Sequence, residues 1–388
     1  MQKIFMVLCI VAGVLPHMVW AAEILETNVP QADLLEVDLI ETDVPQADLL
    51  EADALEADAL EAEPPIAGEE QGTAFKAWVY TQLPDTPEGL GVDSQGNLYA
   101  SLFHTGEIVQ LKEDGQYVHI AWIPSEEDSG KGHVLGIESD KDDNLYVAYK
   151  ARSKYDRVGD PRHPACRDAT DVTSGVYRID AETREVTPVA TRGDGWPFCF
   201  PDDVDIDDVG NIYLADLTYA GIWKITLDGT VTLWSEHPLL HWTATPYSGF
   251  PLGVNALVLD PGQRNIYAAT SGDPLILRIP IQADGSAGEP VVISRGHTLL
   301  DGMALDEAGN IYVSEIFRSE IIGVSPDGSR RVVVANTDSA PLDGNASLVI
   351  RDGILYVANL GFAHARWQDA NKTVVAIQGF AKPIQKQE

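Results

Sequence analysis

Leu300-Asp301-Gly302-Met303-Ala304-Leu305-Asp306-Glu307-Ala308-Gly309-Asn310-Ile311-Tyr312-Val313 decides the fold, because the chain writes nearly the same phrase six times. Its relatives are Pro87-Glu88-Gly89-Leu90-Gly91-Val92-Asp93 before Asn97-Leu98-Tyr99, Val134-Leu135-Gly136-Ile137 before Asn144-Leu145-Tyr146, and Pro201-Asp202-Asp203 before Asn211-Ile212-Tyr213. Val254-Asn255-Ala256 before Asn265-Ile266-Tyr267 and Gly344-Asn345-Ala346 before Ile354-Leu355-Tyr356 complete the set. A recurrence every 44 to 67 residues marks repeated supersecondary units.

Each copy reads as an apolar strand, an Asp-x-x-Gly-Asn type of turn and a second strand, which is a hairpin. Two further strands follow, as in Glu107–Leu111 with Tyr117–Ala121, and four strands make a propeller blade. The sixth unit ends one strand short after Thr373–Ile377, while Phe75–Tyr80 stands unclaimed ahead of the first. The expected fold is therefore all-β, a six-bladed β-propeller over residues 73–388, with Phe75–Tyr80 closing the last blade.

Ahead of it, residues 1–22 carry one lysine, an apolar run from Ile4 to Leu15 and Val19-Trp20-Ala21, the pattern of a cleaved signal peptide. Export, to a periplasm or the cell exterior, is expected. The run is too short for a membrane span. Residues 23–72 hold sixteen acids and no Lys or Arg, in a 15-residue repeat without aromatics, and read as a disordered acidic linker. The remainder keeps 44 acids against 25 bases, a net charge of −19, which excludes nucleic acid as a partner. A closed propeller needs no second copy, so a monomer is expected.

Because the chain changes face at each strand, the turn aspartates Asp93, Asp140, Asp207, Asp260 and Asp306 lie on one face, satisfied by their own turns. The tyrosines that follow pack between blades. Five residues before each turn position stand Glu88, Leu135, Asp202, Asn255, Asp301 and Asn345, where the central strands converge on the axis. Asp343 competes for the place of Asn345, and Asp203 for that of Asp202. Five oxygen-bearing side chains converging there require a cation, and carboxylate with amide oxygen favours a hard one: calcium first, then magnesium or manganese.

At these residues the chain resembles the senescence-marker-protein/gluconolactonase/luciferin-regenerating-like family of six-bladed propellers, with the related diisopropyl fluorophosphatase and paraoxonase hydrolases, over roughly residues 75 to 380. In that family a first-blade Glu, a fourth-blade Asn and a fifth-blade Asp hold the catalytic divalent ion, and Glu88, Asn255 and Asp301 stand in those places. Where the family usually has a third-blade Asn, this chain has Asp202, whose added charge disfavours anionic sugar-acid lactones. Phe200 stands where sugar-lactone members often carry an Arg. The resemblance implies a metal-dependent hydrolase of lactones or esters.

The same face receives an insertion from Ala151 to Ser174, and Trp196-Pro197-Phe198-Cys199-Phe200 ahead of blade three. Cys166 and Cys199, the pair left once Cys9 is removed with the leader, are expected to form a disulfide pinning the insertion as a lid. Trp196, Phe198, Phe200, His241, Trp242, Tyr247, Phe250 and Asn345 are the expected pocket residues, an aromatic rim suited to an uncharged, apolar or aryl substrate. Asp301 is the candidate general base as well as a ligand, and His133 and His297 are the candidate catalytic histidines. Two other readings remain: a non-enzymatic binding propeller of the NHL kind, and a strictosidine-synthase-like condensing enzyme without a metal.

Overall fold

The six phrases each build the two inner strands of a four-stranded antiparallel sheet. The computed structural model describes residues 75–152, 154–156, 165–167, 172–241, 252–361 and 370–380. The expected leader and acidic linker lie outside these residues. Strand β1 (Lys76–Gln82) precedes blade one, which is β2 (Pro87–Val92), β3 (Leu98–Leu102), β4 (Glu107–Leu111) and β5 (Tyr117–Trp122). Blade two begins with β6 (Gly132–Ser139) and β7 (Leu145–Ala151), leaves for a ribbon of β8 (Lys154–Asp156) and β9 (Ala165–Arg167), and returns as β10 (Gly175–Ile179) and β11 (Val186–Ala190). A second ribbon, β12 (Arg192–Gly193) with β13 (Trp196–Pro197), leads to blade three: β14 (Pro201–Ile206), β15 (Ile212–Asp216), β16 (Gly221–Ile225) and β17 (Val231–Ser235).

Blade four is β18 (Val254–Leu259), β19 (Asn265–Thr270), β20 (Ile276–Pro280) and β21 (Val291–Ser294). Blade five is β22 (Leu300–Leu305), β23 (Ile311–Glu315), β24 (Glu320–Val324) and β25 (Arg330–Ala335). Blade six has only β26 (Asn345–Arg351), β27 (Ile354–Asn359) and β28 (Thr373–Gln378), and β1 supplies its outer strand, antiparallel to β28 from Lys76↔Gln378 to Gln82↔Thr373. The ring thus closes with the first strand of the domain, as the unclaimed Phe75–Tyr80 segment requires.

The repeated Asp-Gly-Asn-Tyr phrase has a common hydrogen-bonding cause. In blade five, Asp306 Oδ1 accepts from the amides of Ala308 (3.0 Å) and Asn310 (2.8 Å), while Oδ2 accepts from Asn310 Nδ2 (2.8 Å) and the Tyr312 hydroxyl (3.1 Å). Gly309 sits between them at φ 80°, a conformation that costs glycine nothing. The same box recurs around Asp93 and Asp140, so one carboxylate ties each turn to the second strand of its own blade.

The apolar mass is distributed over the six blade interfaces. Tyr99, Ile108 and Val134 pack blade one on two, Leu135, Val204 and Trp223 pack two on three, and Tyr213, Val254 and Leu277 pack three on four. Ala256, Leu300 and Val313 join four to five, Ala304, Leu348 and Val375 five to six, and Leu90, Tyr356 and Val374 six to one. The expected position of the tyrosines between blades is observed. Since every cluster lies between sheets, the axis itself is left to the inner strands.

Blade six lacks the turn aspartate and has Arg351 instead. Its guanidinium donates to the Gly96 carbonyl of blade one (3.0 Å) and to the Tyr356 hydroxyl (2.6 Å), and stacks over the rings of Tyr356 (4.8 Å) and Tyr80 of β1 (5.9 Å). One side chain thereby links blade six, its borrowed strand and blade one across the closure. Arg351→Ala should cost about 2 kcal/mol, the worth of hydrogen bonds to a charged donor. Urea unfolding measures it; a variant as stable as the parent would mean that interface packing alone closes the ring.

Candidate metal centre

All six inner strands slip register against their second strands at the same end. The slips fall between Pro87 and Leu90, Val134 and Ile137, Pro201 and Asp203, Val254 and Ala256, Leu300 and Met303, and Asn345 and Leu348. A bulge re-aims the extra side chain, and the residues inside the slips begin with Glu88, Leu135, Asp202, Asn255, Asp301 and Ala346. Glycine often follows because the neighbouring inner strand is too close for a side chain. A Cβ on Gly89 would stand 2.2 Å from the Leu135 carbonyl oxygen, and one on Gly302 2.5 Å from Ser347 Cα.

Serines fix these bulges from blade to blade. Ser101 Oγ accepts from Gly89 N (2.7 Å) and donates to the Leu135 carbonyl (2.6 Å), and Ser271 donates to that of Leu300 (2.6 Å). Ser314 does the same to Ala346.

Blade six departs from the expected register. Asn345 pairs with Asn359, in the place that Pro87 and Leu300 hold in their blades, and its Nδ2 donates to the Glu320 carbonyl (3.1 Å). It is wholly buried in the blade wall, and Ala346 takes the ring position. The cause is the turn: Arg351 and Ile354 enclose only Asp352-Gly353, so counting back from Tyr356 lands one residue early. Asp343 is not the sixth member either; its Oδ2 accepts from Asn371 N (2.8 Å).

Glu88, Asp202 and Asp301 each bring one carboxylate oxygen within 4.8 Å of the others, and all three are buried. Burial first, and then mutual repulsion with Asp301 and Asp202, pushes the Glu88 carboxyl well above its usual range. Asp202 rises for the same reasons, burial before Asp301. Burial pushes Asp301 up to about 7, against hydrogen bonds from Gly302 N and the Asn255 side chain that favour its anion. Because Asn255 donates to Asp301, its carbonyl oxygen is turned elsewhere. That oxygen and Glu88 Oε2 are buried without a hydrogen-bond partner among the described residues. Orphaned acceptors beside converging carboxylates fit a hard cation, which would supply each with the positive partner it lacks.

The acidic character continues below the ring. Asp203 Oδ2 accepts from Leu257 N (3.0 Å) and Asp205 Oδ2 from Leu259 N (2.6 Å), so blade three ties itself to the inner strand of blade four. Burial drives Asp203 up to about 7 and Asp205 to about 6, and Glu138 of blade two rises through burial and the charge of Asp205. These groups line one axial cavity of about 190 Å3 with Glu88, Asn255 and Asp301. The Asp203-Val204-Asp205-Ile206-Asp207 alternation is the sequence signal for them: a strand with one face on a polar channel.

At the mouth, His133 stacks on Phe103 (4.2 Å between centroids) with His104 edge-on at 5.9 Å. Burial, followed by the charges of His104, Arg152 and Lys150, pulls the His133 pKa down to about 4, so the ring is neutral at neutral pH. Its Nδ1 lies 3.3 Å from the Phe103 carbonyl, which can only accept; Nδ1 therefore carries the proton and Nε2 is the basic nitrogen. The His297 side chain is fully enclosed, with Nδ1 3.0 Å from Glu315 Oε1 and Nε2 2.8 Å from Ser294 Oγ.

Of the expected pocket residues, Trp196 is 58% exposed on its ribbon, whereas Phe198 is core, packed at 5.6 Å on Trp223. Phe200 is half-buried against Leu217, Leu252, Leu299 and Ile316, an apolar wall shared by blades three to five. His241 is half-buried at the end of the Pro238–Leu240 turn. Trp242, Tyr247 and Phe250 lie outside the described residues, as does the side chain of Cys166; Cys199 is buried.

A propeller with an acidic ring on its axis defines a class, and sequence comparison places the chain within it. The SMP-30/gluconolactonase/LRE-like family matches residues 141–358, more than half of the chain, and this protein belongs to that family. No curated protein matches. Among solved structures, a gluconolactonase from Xanthomonas campestris superposes with a TM-score of 0.56 at 13% identity, covering 78% of this chain and 89% of its own. A putative gluconolactonase gives 0.55 at 16% identity, over 79% and 93%. An auxiliary nutrient binding protein from Bacteroides thetaiotaomicron gives 0.56 at 9% identity, over 78% and 76%. At such identities the likeness shows a shared fold.

The raised carboxyls set a sign for stability. A carboxyl whose folded pKa is raised stabilises the fold fully below its unfolded value of about 4 and loses that contribution as pH climbs through the folded value. For Asp203 and Asp301 that value is about 7. Asp85 and Glu315, which are lowered, act oppositely, but below that window. In chelator the melting temperature should therefore fall from about pH 5 to about pH 8, and excess calcium should raise it more at the higher pH. Equal calcium shifts at both pH values would contradict a cation held by these groups.

Proposed function

We propose that this chain is an exported, metal-dependent hydrolase of lactones or esters whose substrate is uncharged and apolar or aryl. The reading is carried by the convergence of Glu88, Asp202 and Asp301, with the unpartnered Asn255 and Glu88 oxygens, on the axis of a propeller of this family. Glu88, Asp202, Asn255 and Asp301 are the ligand set, calcium the first candidate. Such an ion supplies polarisation of an acyl carbonyl and a lowered pKa for water.

The protein's own groups do the rest. Asp301, oriented by Asn255 and Gly302 N, is a ligand and the candidate general base. His133, neutral and presenting Nε2 at the mouth, is the second group able to take a proton. His297, with both ring nitrogens occupied, orients rather than reacts. Phe200 and its apolar neighbours favour an uncharged acyl or aryl portion over a sugar acid. Export, supported by the leader-like pattern of residues 1–22, and a Cys166–Cys199 disulfide that steadies the blade-two excursion belong to the same proposal.

The full chain is to be assayed by proton release on aliphatic, aryl and sugar lactones and aryl esters, with calcium added and then chelated. Chelator-sensitive hydrolysis is expected, with Asp301→Ala lowering kcat/KM by about 100-fold or more. Calcium binding without turnover on any substrate would favour a binding propeller. Turnover that survives chelation would favour condensing chemistry without a metal.

Intact mass after thiol alkylation without reductant checks the disulfide. Unmodified Cys166 and Cys199 are expected; alkylation of both would refute the pairing.

A further inference from the structure

We propose that Asp216 and Glu315 are positioning residues for the ion ligands Asp202 and Asp301, acting through the hydrogen bonds that fix the segments ahead of those ligands; this rests on the metal centre proposed above. Asp216 ends β15 opposite Pro201, the residue before Asp202, and Glu315 ends β23 opposite Leu300, the residue before Asp301. The two carboxylates therefore occupy the same structural position in blades three and five.

Each straps the peptide leading to its ligand. Asp216 Oδ2 accepts from Cys199 N (2.7 Å), and Oδ1 from Phe200 N (2.7 Å) and Tyr219 N (3.1 Å). Glu315 Oε2 accepts from the Thr298 hydroxyl (2.8 Å) and Oε1 lies 3.0 Å from His297 Nδ1, with Ser294 holding the far side of that ring. Arg318 Nε approaches Oε2 at 3.7 Å. Both residues are at most 2% exposed.

The equivalent positions elsewhere are uncharged: Leu102, Tyr149, Thr270 and Asn359. Asn359 makes the same kind of strap, accepting from Asp343 N (2.9 Å), without a charge. Asn359 offers only one acceptor there, its Nδ2 donating to the Pro341 carbonyl (2.8 Å) and to Thr373 (2.9 Å), whereas Asp216 accepts through both oxygens. Carboxylates occur at this position only in the two blades that contribute an aspartate to the ring. The charge of Asp216 acts on Asp202, and a cation bound there would offset both in a medium that screens poorly, whereas Glu315 already faces His297 and Arg318.

The test uses the isosteric variants Asp216→Asn and Glu315→Gln in the full chain, read by calorimetric calcium titration and by melting temperature in chelator, neither of which requires a substrate. The expected result in each is calcium affinity weaker by about tenfold, titrated at a temperature at which the melting curve in chelator shows the variant folded. Unchanged affinity overturns the assignment and leaves plain structural straps. If the parent chain itself binds no calcium, the metal centre falls first, an outcome distinct from parent binding that the variants leave intact.

Discussion

Closing six twisted sheets into a ring forces a division of labour on the side chains. Most buried apolar residues find partners between blades, where Tyr99, Tyr213, Tyr312 and Tyr356 sit with their aliphatic neighbours. The inner strands meet around an axis too narrow for another layer and too wide to close. Whatever points there is surrounded by the inner strands of all six blades. A carboxylate in that place loses water without gaining a sheet partner, so the ring of Glu88, Asp202 and Asp301 exists at the expense of stability unless something positive joins it.

The scaffold delivers these side chains through bulges whose positions are fixed from outside the blade that carries them. Ser101, Ser271 and Ser314 each reach to a carbonyl of the next inner strand, at or beside the bulge. Asp203 and Asp205 do the corresponding work one and three residues further on, binding amides of blade four. Ring geometry is therefore a property of adjacent pairs of blades. Closure through β1 and Arg351 matters to the site for the same reason: a ring that opens at blade six releases Ala346 and Leu90 from neighbours that define the circle.

Most of the architecture was legible because its signals are local. The Asp-Gly-Asn-Tyr box is written within one hairpin, and Asp93 or Asp306 could be assigned to turns from spacing alone. Glu88, Asp202, Asn255 and Asp301 follow from the same count, since turns of similar length come after those strands. Blade six broke the count: Asp352-Gly353 makes a tighter turn, so Asn345 was placed on the axis when it belongs to the wall. Asp216, Glu315 and His297 illustrate a deeper limit. A polar residue at the end of a second strand looks like the start of a loop, and only the fold reveals that most of its partners lie fifteen or more residues away, ahead of a carboxylate of the ring. Phe198 escapes the sequence pattern for a related reason: the ribbon strand β13 ends at Pro197, so Trp196 stays exposed on it while Phe198, beyond it, packs on Trp223.

Asp202 bears on why a cation, and not a lysine, is the natural complement of this ring. Three carboxylates with oxygens inside a 4.8 Å circle must share one positive partner, and an ammonium group offers a single charge on a bulky stem. A divalent ion offers two charges at the centre and takes six or more oxygens, so Asn255 and the second oxygen of Glu88 can be satisfied at the same time. One negative charge remains uncompensated even then, with Asp203 and Asp216 close behind. The centre would present a carbonyl-polarising ion within a negative surround, a combination that admits neutral acyl groups and repels carboxylates. The apolar wall of Leu217, Leu252, Leu299 and Phe200 faces the same choice from the other side: it offers surface to an uncharged group and nothing to pair with an anion.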